Sequence, residues 1–254
     1  MNELDSILVK FVNEVLRQHC IGLEFLFFNK KKDSPLEIPI KQIFYICGGL
    51  IEIPEYEGVH FFVTAKHCFD MAKEACSYYD GLECRMHDGD KKNIIFAFPY
   101  NDFFCNTKII DDKSDICFYQ MNDQYLLLKN LEYTGKKSIQ CFNGNRDYNK
   151  RINIAVLYGK RSSSSCFDIM IFHKNKDFEI IDTDEKYEVR LYSKRKGIDL
   201  TGVSGSILFG IGINDFDKNC FYNVLGVQIG QHNKNGDIKK GDGDYVVFYP
   251  LNFV

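Results

Sequence analysis

Apolar residues recur at helical spacing at the start of the chain. Leu4, Ile7, Leu8, Phe11, Val12, Val15 and Leu16 fall on one face, which predicts an amphipathic helix over residues 1–20. That face needs a cover, either the body of the chain or a partner protein. Beyond residue 20 the period shortens. Runs rich in Phe, Tyr, Ile and Val predict strands at 23–29, 41–53, 60–65, 82–87, 93–99 and 115–121. A second set follows at 152–158, 167–173, 186–193, 204–210, 221–230 and 245–251. Clusters of Gly, Asn, Asp and Lys break these runs. A short helix through Met71–Ala75 and a crossover near 122–138 complete the pattern.

Six short strands in each half with turn-rich connections predict an all-β fold of barrels or sandwiches. The chain divides into a helix at 1–20, a first β-unit at 21–130 and a second at 131–254. Its 254 residues suffice for one large all-β domain or two small ones.

Charge narrows the function classes. The net charge of −3 gives no general electrostatic case for nucleic acid or an anionic membrane. The basic clusters Lys30–Lys32, Lys160-Arg161 and Lys194–Lys196 read as solvated loops, as does the serine run Ser162–Ser165. The N-terminus Met1-Asn2-Glu3-Leu4-Asp5 is acidic where a secretory signal is basic, and no stretch reaches the about 20 apolar residues of a membrane span. A cytoplasmic location is the expectation, with signal-independent secretion left open.

Ten cysteines in such a chain are expected to be reduced thiols, several of them small core residues, such as Cys117 between Ile116 and Phe118. Cys76, Cys84 and His87 make a zinc-like grouping without a fourth ligand. Asp88-Gly89-Asp90 and Gly241–Asp244 lack calcium-loop spacing and read as hairpin turns. No metal and no cofactor is expected.

The candidate chemistry lies in three segments. Thr201-Gly202-Val203-Ser204-Gly205-Ser206 holds a serine between glycines, where small neighbours let the chain turn sharply and expose the hydroxyl. A serine hydroxyl is a weak nucleophile that needs a base, and the base needs an orienting acceptor. Thr64-Ala65-Lys66-His67-Cys68 supplies a histidine and Ser114-Asp115-Ile116 an aspartate.

Together these segments resemble the trypsin/chymotrypsin-like serine peptidases. Cys47-Gly48-Gly49-Leu50-Ile51 is similar to that family's Cys-Gly-Gly strand, Val63–Cys68 to its histidine signature, and Asp115-Ile116 to the aspartate that opens an apolar strand. Gly202–Ser206 matches Gly-x-Ser-Gly-Gly/Ser, and Leu225-Gly226-Val227 resembles the strand beside the substrate pocket. The resemblance covers roughly residues 36–251 and leaves the N-terminal helix outside. Gly-x-Ser-Gly-Ser arises by chance in roughly one chain of this length in 150–200, so the histidine and aspartate in the family's order carry the weight.

The resemblance implies two six-stranded antiparallel β-barrels, the first carrying His67 and Asp115 and the second Ser204. It implies a serine endopeptidase acting on protein or peptide substrates through an acyl-enzyme. His67 is then the general base, Asp115 its orienter, Ser204 the nucleophile, and the N–H groups of Gly202 and Ser204 the oxyanion hole. Segments 197–201 and 225–230 would wall the pocket. Asp199 would favour a basic side chain there and Gln228 a polar one, with Thr201 alongside. Cys47 and Cys68 match the family's disulfide partners but are expected here as neighbouring thiols. Val203 stands where many animal members carry an acid that pairs with a new N-terminal ammonium, so activation by N-terminal insertion is not expected. The Gly-x-Ser-Gly-Ser form fits bacterial and viral members better, and the Lys-, Asn- and Ile-rich composition suggests an AT-rich genome, expected to be bacterial. The alternative is a catalytically silent or partner-activated module that keeps the scaffold for binding, with the N-terminal helix as the regulatory contact.

Overall fold

The computed structural model describes residues 3–30, 41–52, 56, 58–88, 94–99, 107–111, 115–120, 124–140, 151–159, 161, 168–183, 187–192, 200–213, 220–232, 238–239 and 245–249. Asp199, the serine run 162–165, the basic cluster 194–196 and the turn 241–244 lie outside these residues.

The chain opens with α1 (Glu3–Phe11), a π-helical turn (Val12–Leu16) and α2 (Arg17–His19). A first sheet follows, built from β1 (Cys20–Lys30), β2 (Lys41–Glu52), β3 (His60–Ala65), β4 (Tyr79–Asp88), β5 (Ile94–Pro99), β6 (Thr107–Asp111), β7 (Ile116–Gln120) and β8 (Ile139–Gln140). Its order is β5-β4-β1-β2-β3-β7-β6, with β8 paired to β2. Among the described residues two helices accompany it, α3 (Lys66–Tyr78) and α4 (Gln124–Thr134). The second sheet holds β9 (Ile152–Gly159), β10 (Asp168–His173), β11 (Phe178–Asp182), β12 (Tyr187–Leu191), β13 (Ile207–Ile213), β14 (Cys220–His232), β15 (Ile238–Lys239) and β16 (Tyr245–Tyr249). Its order is β10-β9-β13-β14-β16-β12-β11, with β15 on β14. Every named pair is antiparallel except the short β2–β8 contact.

The burial pattern explains why the central strands read as apolar runs rather than alternations. In β3 all six residues are buried. Phe62 enters a cluster with Leu23, Phe25, Leu50 and Tyr119 inside the first sheet, while Phe61 and Val63 face the other way. Across the molecule β9 behaves alike: Ile152, Ala155 and Leu157 enter the second sheet's own core, and Ile154, Val156 and Tyr158 turn outward. The two outward faces meet in one shared cluster, with Cys47, Ile51, Phe61 and Val63 from the first sheet and Val156, Ile207, Phe209 and Val227 from the second. A strand buried on both faces has no polar side, so its sequence loses the period of two.

The N-terminal helix closes this shared cluster. Phe11, Val15 and Leu16 are buried in it, and the Phe11 ring meets Phe209 edge-on at 5.9 Å and Tyr222 at 6.0 Å. Ile7, Leu8 and Val12 pack part-buried against the same cluster.

Three expectations are corrected. Among the described residues each sheet holds eight strands rather than six. The additions are β6 and β11, each with charged residues among five, and the two-residue strands β8 and β15, too short to leave a period. The segment near 122–138 is no plain crossover, because α4 buries Leu127 and Leu131 in the first sheet's core and β8 still belongs to that sheet. The strand expected at 204–210 starts at Ile207, since Thr201–Gly205 is bent into turns.

Candidate active site

β3 runs straight into α3, and His67 is the second residue of that helix. The first N–H groups of a helix have no partner within it and need acceptors from elsewhere. Here Asp115 supplies them from 48 positions away. Its carbonyl accepts the Lys66 N–H at 2.7 Å, and its Oδ1 accepts the His67 N–H at 3.0 Å. A carboxylate at this helix end also meets the positive pole of the helix dipole. The second oxygen, Oδ2, lies 2.6 Å from His67 Nδ1. One carboxylate therefore caps the helix and holds the imidazole.

Asp115 reaches both groups from an unusual backbone state, with φ of 51° just before β7 begins. Left-handed conformation in a residue other than glycine is uncommon, and Asp tolerates it better than most. The pair is partly open to solvent, with side-chain exposures of 38% for His67 and 29% for Asp115. Beneath it lies Cys117, fully buried, whose thiol is pushed up to about 12 by burial first and then by the Asp115 charge.

The serine segment is two successive turns. The Val203 N–H donates to the Leu200 carbonyl at 3.4 Å, and the Ser206 N–H to the Val203 carbonyl at 3.0 Å. Each turn has a glycine at its third position with positive φ, 93° at Gly202 and 86° at Gly205, as a type II turn requires. Ser204 occupies the second position of the latter turn, partly exposed, between the buried Val203 and Gly205. Val203 points into the second sheet's core with Leu200, Leu208 and Leu225. The N–H groups of Gly202 and Ser204 donate to no other described residue.

The turn is pressed onto the first sheet. A Cβ on Gly205 would lie 2.2 Å from Thr64 Oγ1 and 2.3 Å from the Cys47 carbonyl oxygen, so only glycine fits. Thr64 is itself fixed, its hydroxyl donating to that same Cys47 carbonyl at 2.7 Å. Two thiols add to the contact. Cys47 Sγ donates to the Gly202 carbonyl at 3.8 Å and Cys68 Sγ to the Ser204 carbonyl at 3.7 Å. Cys68 directly follows His67, so the serine backbone docks one residue from the histidine. Ser206 Oγ is buried and lacks a hydrogen-bond partner among the described residues.

The structure thus joins His67 to Asp115 and seats the Ser204 backbone beside Cys68. Among the described residues no hydrogen bond joins the Ser204 hydroxyl to His67. Of the expected pocket residues, Thr201 lies exposed in the first turn, Gln228 pairs with Phe248 between β14 and β16, and Asp199 is outside the described residues. Cys47 and Cys68 carry thiols rather than a disulfide. Cys84, weighed above as a zinc ligand, is buried in the first sheet's core, and His87 bonds the Tyr45 hydroxyl. Thr64, Cys47 and Cys68 are the positioning contacts that sequence reasoning did not assign. Their signal is weak, because a buried Thr or Cys in a strand or helix looks like ordinary packing. No helix among the described residues is long and apolar enough to cross a membrane.

No family model matches the chain, and no curated protein matches it. Among solved structures it is similar to the crystal structure of a thermostable serine protease, AL20, from an extremophilic microorganism. The two share 10% sequence identity over 91% of this chain and 90% of that one, with a TM-score of 0.44.

Proposed function

We propose that the chain is a serine endopeptidase with two chymotrypsin-like barrels, hydrolysing peptide bonds through Ser204, His67 and Asp115. The observation that carries this reading is the double hold of Asp115 on His67, at the backbone N–H and at Nδ1. That hold directs Nδ1 to the carboxylate and leaves Nε2 as the nitrogen for a hydroxyl proton. Ser204 then attacks the acyl carbon as Nε2 takes its proton, and the same proton passes to the leaving amine. Asp115 stabilises the imidazolium formed on the way. The N–H groups of Gly202 and Ser204, which donate to no other described residue, suit an oxyanion, and each such donor lowers the barrier by about 3 kcal/mol. Water repeats the attack on the acyl-enzyme with His67 again as base. No metal or cofactor enters these steps. Thr201, Asp199 and Gln228 are the proposed pocket residues.

A fluorophosphonate probe tests the reading. Covalent labelling at Ser204, abolished in Ser204→Ala, is the expected result. A folded wild type that takes no label would point to the silent or partner-activated alternative instead.

A further inference from the structure

The serine turn carries two carbonyls that point back at the first sheet, those of Gly202 and Ser204. Each is met by a thiol, Cys47 Sγ at 3.8 Å and Cys68 Sγ at 3.7 Å. The two cysteines come from different elements, β2 and α3, and α3 also carries His67. Peptide units are planar, so fixing a carbonyl fixes the N–H across the same bond. The two thiols therefore fix the peptide planes between residues 202 and 203 and between 204 and 205. Between them sits the plane of residues 203 and 204. Its carbonyl is held by the Ser206 N–H, and its own N–H belongs to Ser204.

We propose that Cys47 and Cys68 work as thiols, positioning residues whose S–H donors hold the peptide planes around Ser204 in the orientation that presents its N–H and hydroxyl to a substrate. This rests on the enzymatic reading of Ser204. Both sulfurs are buried, Cys47 at 2% and Cys68 at 8% exposure, so water does not compete freely for the two S–H donors. Burial first, then the neighbouring Cys47 and Asp115, drives the Cys68 thiol well above its ordinary range. It therefore stays protonated and stays a donor. A disulfide would remove both hydrogens and both bonds.

An S–H···O bond is weak, and packing alone could give Cys at both places. Serine separates the two roles. It keeps a donor but is smaller and more polar than cysteine, so a packing role ranks serine no better than alanine. A donor role ranks serine above alanine. The rate of fluorophosphonate labelling at Ser204 should fall about fivefold in Cys68→Ala and in Cys47→Ala, consistent with loss of one weak bond. Cys68→Ser and Cys47→Ser should recover most of that loss. Equal labelling of Ala and Ser variants at either position, at any rate, overturns the proposal there.

Raman spectroscopy of the wild type gives a readout that needs no activity. The S–H bands lost in Cys47→Ser and Cys68→Ser should lie below the position of an unbonded thiol. Bands at the unbonded position overturn the proposal, including where an alanine variant fails to fold. A wild type that takes no label overturns the enzymatic reading alone, and the S–H bands still decide the thiol bonds.

Discussion

Asp115 grips His67 twice, through Oδ1 to the backbone N–H at 3.0 Å and through Oδ2 to Nδ1 at 2.6 Å. The two bonds do different jobs. The first, with the Asp115 carbonyl on Lys66, caps α3; the second sets the imidazole. Asparagine is a good helix cap and tolerates left-handed backbone, so Asp115→Asn keeps the first job. It loses the second, because an amide cannot stabilise an imidazolium and can force the wrong tautomer. Asp115→Asn should leave the unfolding free energy from urea titration within about 1 kcal/mol of wild type while labelling at Ser204 slows by about 10³–10⁴-fold. Asp115→Ala should lose both stability and labelling. A large loss of stability with normal labelling in Asp115→Asn would separate Asp115 from the chemistry.

That capping relationship marks the limit of what the sequence can say. Local reading looks for a cap just before the helix, where this chain has Thr64-Ala65. The actual cap comes from 48 positions downstream, and only the pairing of β3 with β7 brings it near: Ala65 pairs with Ile116. The strands themselves were legible because their two-sided burial leaves long apolar runs, as in His60–Ala65. β6 and β11 were not, because Lys108 and Asp111, or Glu179 and Asp182, dilute the signal over five residues. The candidate residues were legible as types in an order. Their supports were not, because Thr64 to Cys47 and Cys68 to Ser204 are contacts between one buried residue and one carbonyl.

Gly205 and Gly135 offer a controlled comparison of strain with strain plus collision. Both have positive φ, 86° and 67°. At Gly135 a Cβ meets nothing within 4 Å, so Gly135→Ala should cost only the left-handed strain, about 1–2 kcal/mol. At Gly205 the Cβ meets the Cys47 carbonyl and Thr64 Oγ1 below 2.5 Å, which adds overpacking of about 1–3 kcal/mol. Urea unfolding should therefore rank Gly205→Ala as the less stable variant, and labelling at Ser204 should fall only in it. Equal costs at the two positions would mean that the turn does not press on the first sheet.

Val203 points into an apolar cluster and is fully buried. An acid there has no partner among Leu200, Leu208 and Leu225, and an unpaired buried charge costs about 3–5 kcal/mol. Val203→Asp should unfold at markedly lower urea than Val203→Ala. By the same reasoning, an N-terminal ammonium has no acceptor to find at this position. Chains trimmed at successive N-terminal residues should show no gain in labelling that disappears when the new α-amine is acetylated. Such a gain would assign the switch to a residue other than Val203.

Acid should loosen the contact between the N-terminal helix and the body. His19 Nδ1 donates to the Lys137 carbonyl at 2.8 Å, and the Lys137 N–H returns a bond to the Gln18 carbonyl at 2.9 Å. His19 is buried, and burial first of all holds its pKa below the ordinary value of 6.5; the Lys137 carbonyl bond opposes this, and the charges of Lys137 and Lys136 reinforce it. His60, bonded to Ser138, is lowered by burial too, with Glu52 opposing. The sign follows from proton counting. Below pH 6.5 the unfolded chain takes up a proton at each histidine that the folded chain still refuses, so acid favours unfolding. Stability is fully present above that pH and is lost as pH falls from it towards the lowered folded values. Each histidine contributes a slope of at most about 1.4 kcal/mol per pH unit in that window. Asparagine at position 19 can keep a donor near the place of Nδ1 without titrating. The urea midpoint of wild type should drop between about pH 7 and pH 5.5, and His19→Asn should drop less by up to one proton's share. Identical acid slopes in wild type and His19→Asn would show that the helix contact does not titrate through His19.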